Sequence, residues 1–239
     1  MPENRVEKQK NKLTNRDLLL PYAIPYLAYV AIVSLGGDRL SSQIIYILEI
    51  CIVPGLLYWA WKWYVPFTGP EKITGSIVWG IIFGLAGLAI WCVLLAPFID
   101  IAGEPWDFSA FILRLIAASL IVPVFEEVFI RGYVLRAALQ WDQNRKNTQI
   151  SSPLGQMLDH DTIADVPPGA WSVMAIVIST LAFTAGHLPS EWPASVAYSV
   201  LMSILWIMRK DLLSCMVAHG ITNLALGIYV YFSGNWGFW

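Results

Sequence analysis

Charge is the first shortage in this chain. Only 13% of its 239 residues are Asp, Glu, Lys or Arg, while 57% are hydrophobic, and a soluble domain carries about 25% charged residues. That balance excludes a water-soluble globule and points to an integral membrane protein. A net charge of -2 gives no basic excess that would argue for nucleic acid as a partner. Cysteine is scarce too: Cys51, Cys92 and Cys215 are odd in number, fall in apolar stretches and form no Cys-x-x-Cys, so no disulfide framework or zinc ribbon is expected and all three read as core residues. There is no His-Glu-x-x-His. His160 has no metal spacing around it and reads as a solvated side chain. No small-residue cleavage site follows the basic cluster Arg5, Lys8, Lys10, Lys12 and Arg16, so a removed signal peptide is not expected.

What is present is a series of long apolar runs. A helix needs about 20 residues to cross the roughly 30 Å hydrocarbon core of a bilayer. Runs of that order cover 18–35, 43–64, 73–98, 108–140, 170–188, 194–208 and 212–232. The fold is therefore expected to be all-α, a polytopic membrane helix bundle of about seven transmembrane helices. A basic segment at 1–17 leads into one transmembrane domain at 18–239, whose motif-bearing core is 108–232. Lys and Arg collect on the cytoplasmic side of membrane proteins. One face gathers the amino-terminal cluster, Lys62, Lys72, Arg131, Arg136, Arg145, Lys146, Arg209 and Lys210, whereas the other carries Arg39 with Asp100, Glu104 and Asp107. The expected topology is a multi-pass cell-membrane protein with its amino terminus in the cytoplasm and its carboxyl terminus outside. Trp61, Trp63, Trp236 and Trp239 fall at the predicted interfaces. The polar stretch 140–169 reads as a cytoplasmic loop. Gly80, Gly84 and Gly87 form a small-residue face on the third span that would admit another helix closely.

Against this background three polar motifs stand out: Glu126, Glu127 and Arg131; Phe183 to His187; His219 to Asn223. A charged group at membrane depth costs a few kcal/mol or more and usually lines a site. Residues four apart share a helix face, and adjacent ones diverge by roughly 100°. Glu127 is thus expected to pair with Arg131, leaving Glu126 free to face a cavity. Peptide hydrolysis requires a base for water, a proton donor for the leaving amine and donors for the oxyanion. Glu126 can be the base, His187 can hold the water or shuttle the proton, and His219 with the Asn223 amide can serve the oxyanion. Counted along helices from their cytoplasmic ends, Glu126, His187 and His219 sit at unequal depths of about 21, 27 and 12 Å. The fourth and fifth helices are therefore expected to project into the cytoplasm, so that all three groups share one layer.

In order and type, Glu-Glu-x-x-x-Arg, Phe-x-x-x-His and His-x-x-x-Asn on hydrophobic helices between Phe108 and Phe232 resemble the CAAX prenyl protease and bacteriocin-processing family, also called the Abi family, of intramembrane endopeptidases. The resemblance implies a glutamate-dependent peptidase acting on a membrane-associated protein or peptide; the family has been read both with and without a metal, and no cofactor is expected here because His-Glu-x-x-His is absent and the ligands would come from three separate helices. It further implies that Glu126 and His187 activate water while His219 and Asn223 form the oxyanion site. The stretch from His219 through Thr222-Asn223 to Ser233-Gly234-Asn235-Trp236-Gly237-Phe238-Trp239 is similar to the CAAX-protease-related branch associated with bacterial exosortase sorting systems. The chain departs from the prenyl protease in span number and in its 140–169 insert, so prenylated substrates do not carry over.

Other readings stay open at the level of residue types. Glu126, His187 and His219 are acceptable zinc ligands with a fourth position for water. Buried carboxylates and histidines also line ion pathways, although this chain lacks the repeats and broken half-helices of many transporters. A catalytically silent scaffold would hold a partner's transmembrane helix in the same groove. Glu49 and Arg114, each about 9 to 12 Å below the outer face, are expected to form an ion pair between the second and fourth spans.

Overall fold

The computed structural model describes residues 12–239 except Asp38, and among the described residues every regular element is helical. In chain order the helices are α1 (Asn15–Gly36), α2 (Ser42–Ala60), α3 (Ile73–Leu95), α4 (Phe108–Asn144), α5 (Pro153–Asp159), α6 (Val173–Thr184), α7 (Trp192–Arg209) and α8 (Leu212–Ser233). Six of them, all but α5 and α6, are long and apolar enough to cross a membrane. The protein is a multi-pass membrane helix bundle. Its outer surface agrees, with Val93, Leu120, Leu181 and Phe232 presented outward. The basic cluster at Arg5, Lys8 and Lys10 lies outside the described residues.

The expected fifth span over 170–188 is instead the 12-residue helix α6, about 18 Å long and too short to cross a bilayer alone. Its start is set by Ser172, whose hydroxyl accepts from Ala175 N at 3.1 Å. After Thr184 the ladder tightens into turns, with Gly186 N donating to Phe183 O at 3.2 Å and His187 N to Thr184 O at 3.0 Å, and Pro189 then keeps the chain extended. A residue before proline is driven out of the helical region, and Leu188 is extended at φ -65°, ψ 150°. Helix α7 then runs back beside α6 as a hairpin, with Trp206 Nε1 donating to Ala170 O at 3.3 Å.

The core expectation for cysteine holds only for Cys215, because Cys51 is exposed and Cys92 half-buried. Apolar sequence context does not separate a core face from a lipid face when both solvents are hydrocarbon. The glycine face on α3 does what its spacing predicts. A Cβ added at Gly84 would stand 2.6 Å from Ala218 O, and one at Gly80 would stand 2.7 Å from Val217. Helix α8 therefore lies against the α3 backbone, and Thr222 Oγ1 donates to Gly84 O at 2.8 Å.

The 140–169 segment is a packed cap rather than a loop. Asn15, fully buried at the start of α1, donates to Gln140 Oε1 and Met157 O, both at 2.8 Å, and accepts from Ile163 N at 2.6 Å. Gln140 Nε2 donates to Thr162 O at 2.8 Å, and Arg136 Nη1 to Val166 O at 2.8 Å. Every one of these bonds satisfies a buried polar group that an apolar core would leave costly. On the cap surface Arg16 bonds Asp159, and that bond holds the Asp159 carboxyl below the usual carboxylate range. A depressed carboxyl stabilises the fold above its unfolded pKa, and the contribution disappears as pH falls through the folded value. His160 is exposed, as a solvated histidine should be.

Candidate active site

Helix α4 is not a regular α-helix. Wider π-helical turns at Ala117–Ile121 and Val128–Val134 flank the short α-helical piece Val122–Glu127. Pro123 lies in the first turn of that piece, where its missing N–H costs least. Extra-wide turns of this kind recur at functional sites. Here they leave a backbone carbonyl, Ala118 O, that accepts from Asn223 Nδ2 of α8 at 2.7 Å.

Glu127 and Arg131 are fully buried and pair at 3.2 Å, as their spacing predicts. Arg131 Nη2 also donates to Ser199 Oγ at 3.0 Å and Ser199 O at 3.2 Å, and its guanidinium lies 5.3 Å from the centre of the Phe183 ring. The pair has a third member. His219 Nδ1 stands 3.2 Å from Glu127 Oε1, so Glu127 receives both the guanidinium and the imidazole. An ionised carboxylate only accepts, which places the His219 proton on Nδ1 and turns Nε2 toward Glu126 Oε2, 3.9 Å away. Glu126 Oε2 itself has no protein partner among the described residues.

His187, just past the end of α6, presses against Phe183 at 4.5 Å and Trp91 at 5.6 Å between ring centres. Its Nδ1 meets Phe183 O at 2.9 Å, which leaves Nε2 for the cavity. Glu126, His187, His219 and Asn223 all line one cavity of about 360 Å³. The structure thus brings together all the singled-out motif residues, Glu126, Phe183, His187, His219 and Asn223 on the cavity wall and Glu127 with Arg131 behind it. Of the three groups expected to share one layer, Glu126 and His219 stand 3.9 Å apart and His187 lines the same cavity. Among the described residues no three His, Cys, Asp or Glu side chains gather closely enough to hold a metal ion.

Residues 108–225 match the model of the family described as type II CAAX prenyl endopeptidase Rce1-like. That stretch contains all three motifs. It belongs to the CAAX endopeptidase family. No curated protein and no solved structure matches the chain. The protein is accordingly an intramembrane peptidase, a hydrolase of the CAAX prenyl protease type.

Several residues around this CAAX-type site were not foreseen in the sequence. The hydroxyl of Tyr198 donates to Thr222 Oγ1 at 3.1 Å, and its ring packs edge-on against His219 at 5.7 Å between centres. Nothing in the sequence marks an aromatic residue on an apolar helix as a histidine's neighbour. Ser199 had a visible signal: Ser195, Ser199 and Ser203 recur every fourth position on α7, and all are buried. Glu127 serving two partners had none. The predicted ion pair between Glu49 and Arg114 is not formed. Arg114 instead lies over Trp106 at 4.7 Å and Trp239 at 4.9 Å, because two indole faces compete for a weakly hydrated guanidinium. Trp239, expected at an interface, lines the cavity.

Proposed function

We propose that the protein is a glutamate-type intramembrane endopeptidase that hydrolyses a peptide bond of a membrane-associated protein or peptide without a bound metal. Glu126 takes a proton from water, which attacks the carbonyl carbon, and the same carboxyl returns the proton to the leaving nitrogen. His187, on the same wall, orients that water. His219, which keeps its Nδ1 proton on Glu127 and takes up a second proton on Nε2 from solvent before the reaction, receives the oxyanion as an imidazolium together with the second N–H of Asn223, and the Glu127 carboxylate stabilises that imidazolium. The observation that carries this reading is the free Glu126 carboxylate facing a His219 ring held from behind by Glu127. In single-turnover cleavage of a membrane-embedded peptide in ¹⁸O-labelled water, one label should enter the new carboxyl group and chelator should leave the rate unchanged. Loss of activity with chelator and its return with zinc would replace this mechanism by a metal-dependent one using Glu126, His187 and His219.

In this proposal the face carrying Lys62, Lys72, Arg209 and Lys210 is cytoplasmic, and the carboxyl terminus lies outside. The Ser233–Trp239 run that resembles the exosortase-associated branch then sits at the outer mouth of the cavity. Cysteines introduced in the 140–169 cap should resist an impermeant reagent applied to intact cells, while one beyond Trp239 should react. Labelling of the cap from outside would invert the topology.

A further inference from the structure

The cavity does not end at the catalytic residues. It continues to Gly37 and Ser42 at the turn between α1 and α2 and to Phe238 and Trp239 at the carboxyl terminus, and Glu49 lines this outer half. Glu49 is 1% exposed, and neither of its carboxylate oxygens has a hydrogen-bond partner among the described residues. A carboxylate removed from water without a partner is costly unless something is supplied to it. Arg114 lines the same cavity, but its guanidinium is held on the faces of Trp106 and Trp239 and forms no ion pair with Glu49. Tyr29 and Tyr46 line the same part of the cavity, and aromatic faces beside a carboxylate suit a cation. At the same end of the bundle Asp100, Glu104 and Asp107 outnumber Arg39, and Glu191 is also on the cavity wall.

We infer that Glu49 is the anchor of a substrate subsite for a guanidinium or ammonium side chain, presented by a peptide that enters from the face bearing the carboxyl terminus. An acidic rim draws a cationic segment toward the mouth. A charge-assisted hydrogen bond to Glu49 then fixes its register relative to Glu126. The inference rests on the peptidase reading for the nature of the occupant, but not on Glu126 as the base.

The test uses the full chain in nanodiscs carrying Glu126→Gln, so that binding is read without turnover. The probes are N-octanoyl-arginine amide and its uncharged near-isostere N-octanoyl-citrulline amide, titrated calorimetrically against empty discs as blank. The arginine probe should bind about tenfold or more tighter than the citrulline probe, the ratio expected of a hydrogen bond between charged groups. Adding Glu49→Gln should bring the two affinities within about twofold, whereas Glu49→Asp, which keeps the charge, should retain most of the preference. Equal affinities in the parent, binding of neither probe, or a preference that survives Glu49→Gln would overturn the subsite. A wrong choice of base would appear elsewhere, as turnover by the Glu126→Gln protein, and would leave this titration unchanged.

Discussion

Glu126→Gln should eliminate turnover while leaving the protein folded. The amide keeps the size of the side chain but cannot accept the proton of water, and general-base catalysis contributes roughly 10² to 10⁴ in rate. Because the same carboxyl also returns the proton to the leaving nitrogen, the loss should reach the upper end of that range or beyond. Folding should survive because Glu126 Oε2 makes no hydrogen bond to the described residues, His219 Nε2 standing 3.9 Å away. Single-turnover cleavage alongside thermal unfolding checks both halves. Wild-type turnover by Glu126→Gln, with Glu127→Gln stable but inactive, would exchange the roles of the two glutamates.

The second large effect separates stability from activity at Glu127 and Arg131. Arg131→Met strands a fully buried carboxylate, and breaking a buried pair from one side costs about 3–5 kcal/mol. Glu127→Gln strands the guanidinium in the same way, although Arg131 keeps its bonds to Ser199. Combining Glu127→Gln with Arg131→Met removes both charges and should recover much of the lost stability. Turnover should not recover with it. Glu127 also holds His219 Nδ1, and an amide there neither fixes the tautomer nor stabilises an imidazolium. Thermal unfolding and single-turnover rates of the four proteins form the cycle. A double variant that regained wild-type turnover would reduce Glu127 to a partner of Arg131 alone.

The parts of this fold that could be read from sequence are those governed by period and burial cost. Apolar runs gave six of the seven expected spans, and the cost of charge in hydrocarbon singled out Glu126, Glu127, Arg131 and His219. Spacing of four was enough to predict the Glu127–Arg131 pair even though the helix widens immediately after Glu127. What escaped was set by competition between partners in three dimensions. Arg114 had a carboxylate and two indoles within reach, and sequence does not rank them. Hydropathy also overran the end of α6, since Ala185 and Leu188 are as apolar as the residues before them although the helix tightens into turns after Thr184. The cap was misread for a related reason: the segment looked solvated, yet its carbonyls at Met157, Thr162 and Val166 accept from the buried side chains of Asn15, Gln140 and Arg136.

The Asn15 hub also imposes an order on synthesis. Its side-chain partners Met157 and Ile163 lie 142 and 148 residues further along the chain. At about 5 to 20 residues per second, they leave the ribosome on the order of 10 s after α1 has been made. Until then the amino-terminal turn of the first helix has no clasp, and α1 can shift against its neighbours. Tyr29 of α1 is part of the cavity wall. The nascent chain therefore gains this clasp only once its cap has emerged, and its cavity closes later still, when His187, His219 and Asn223 have been made.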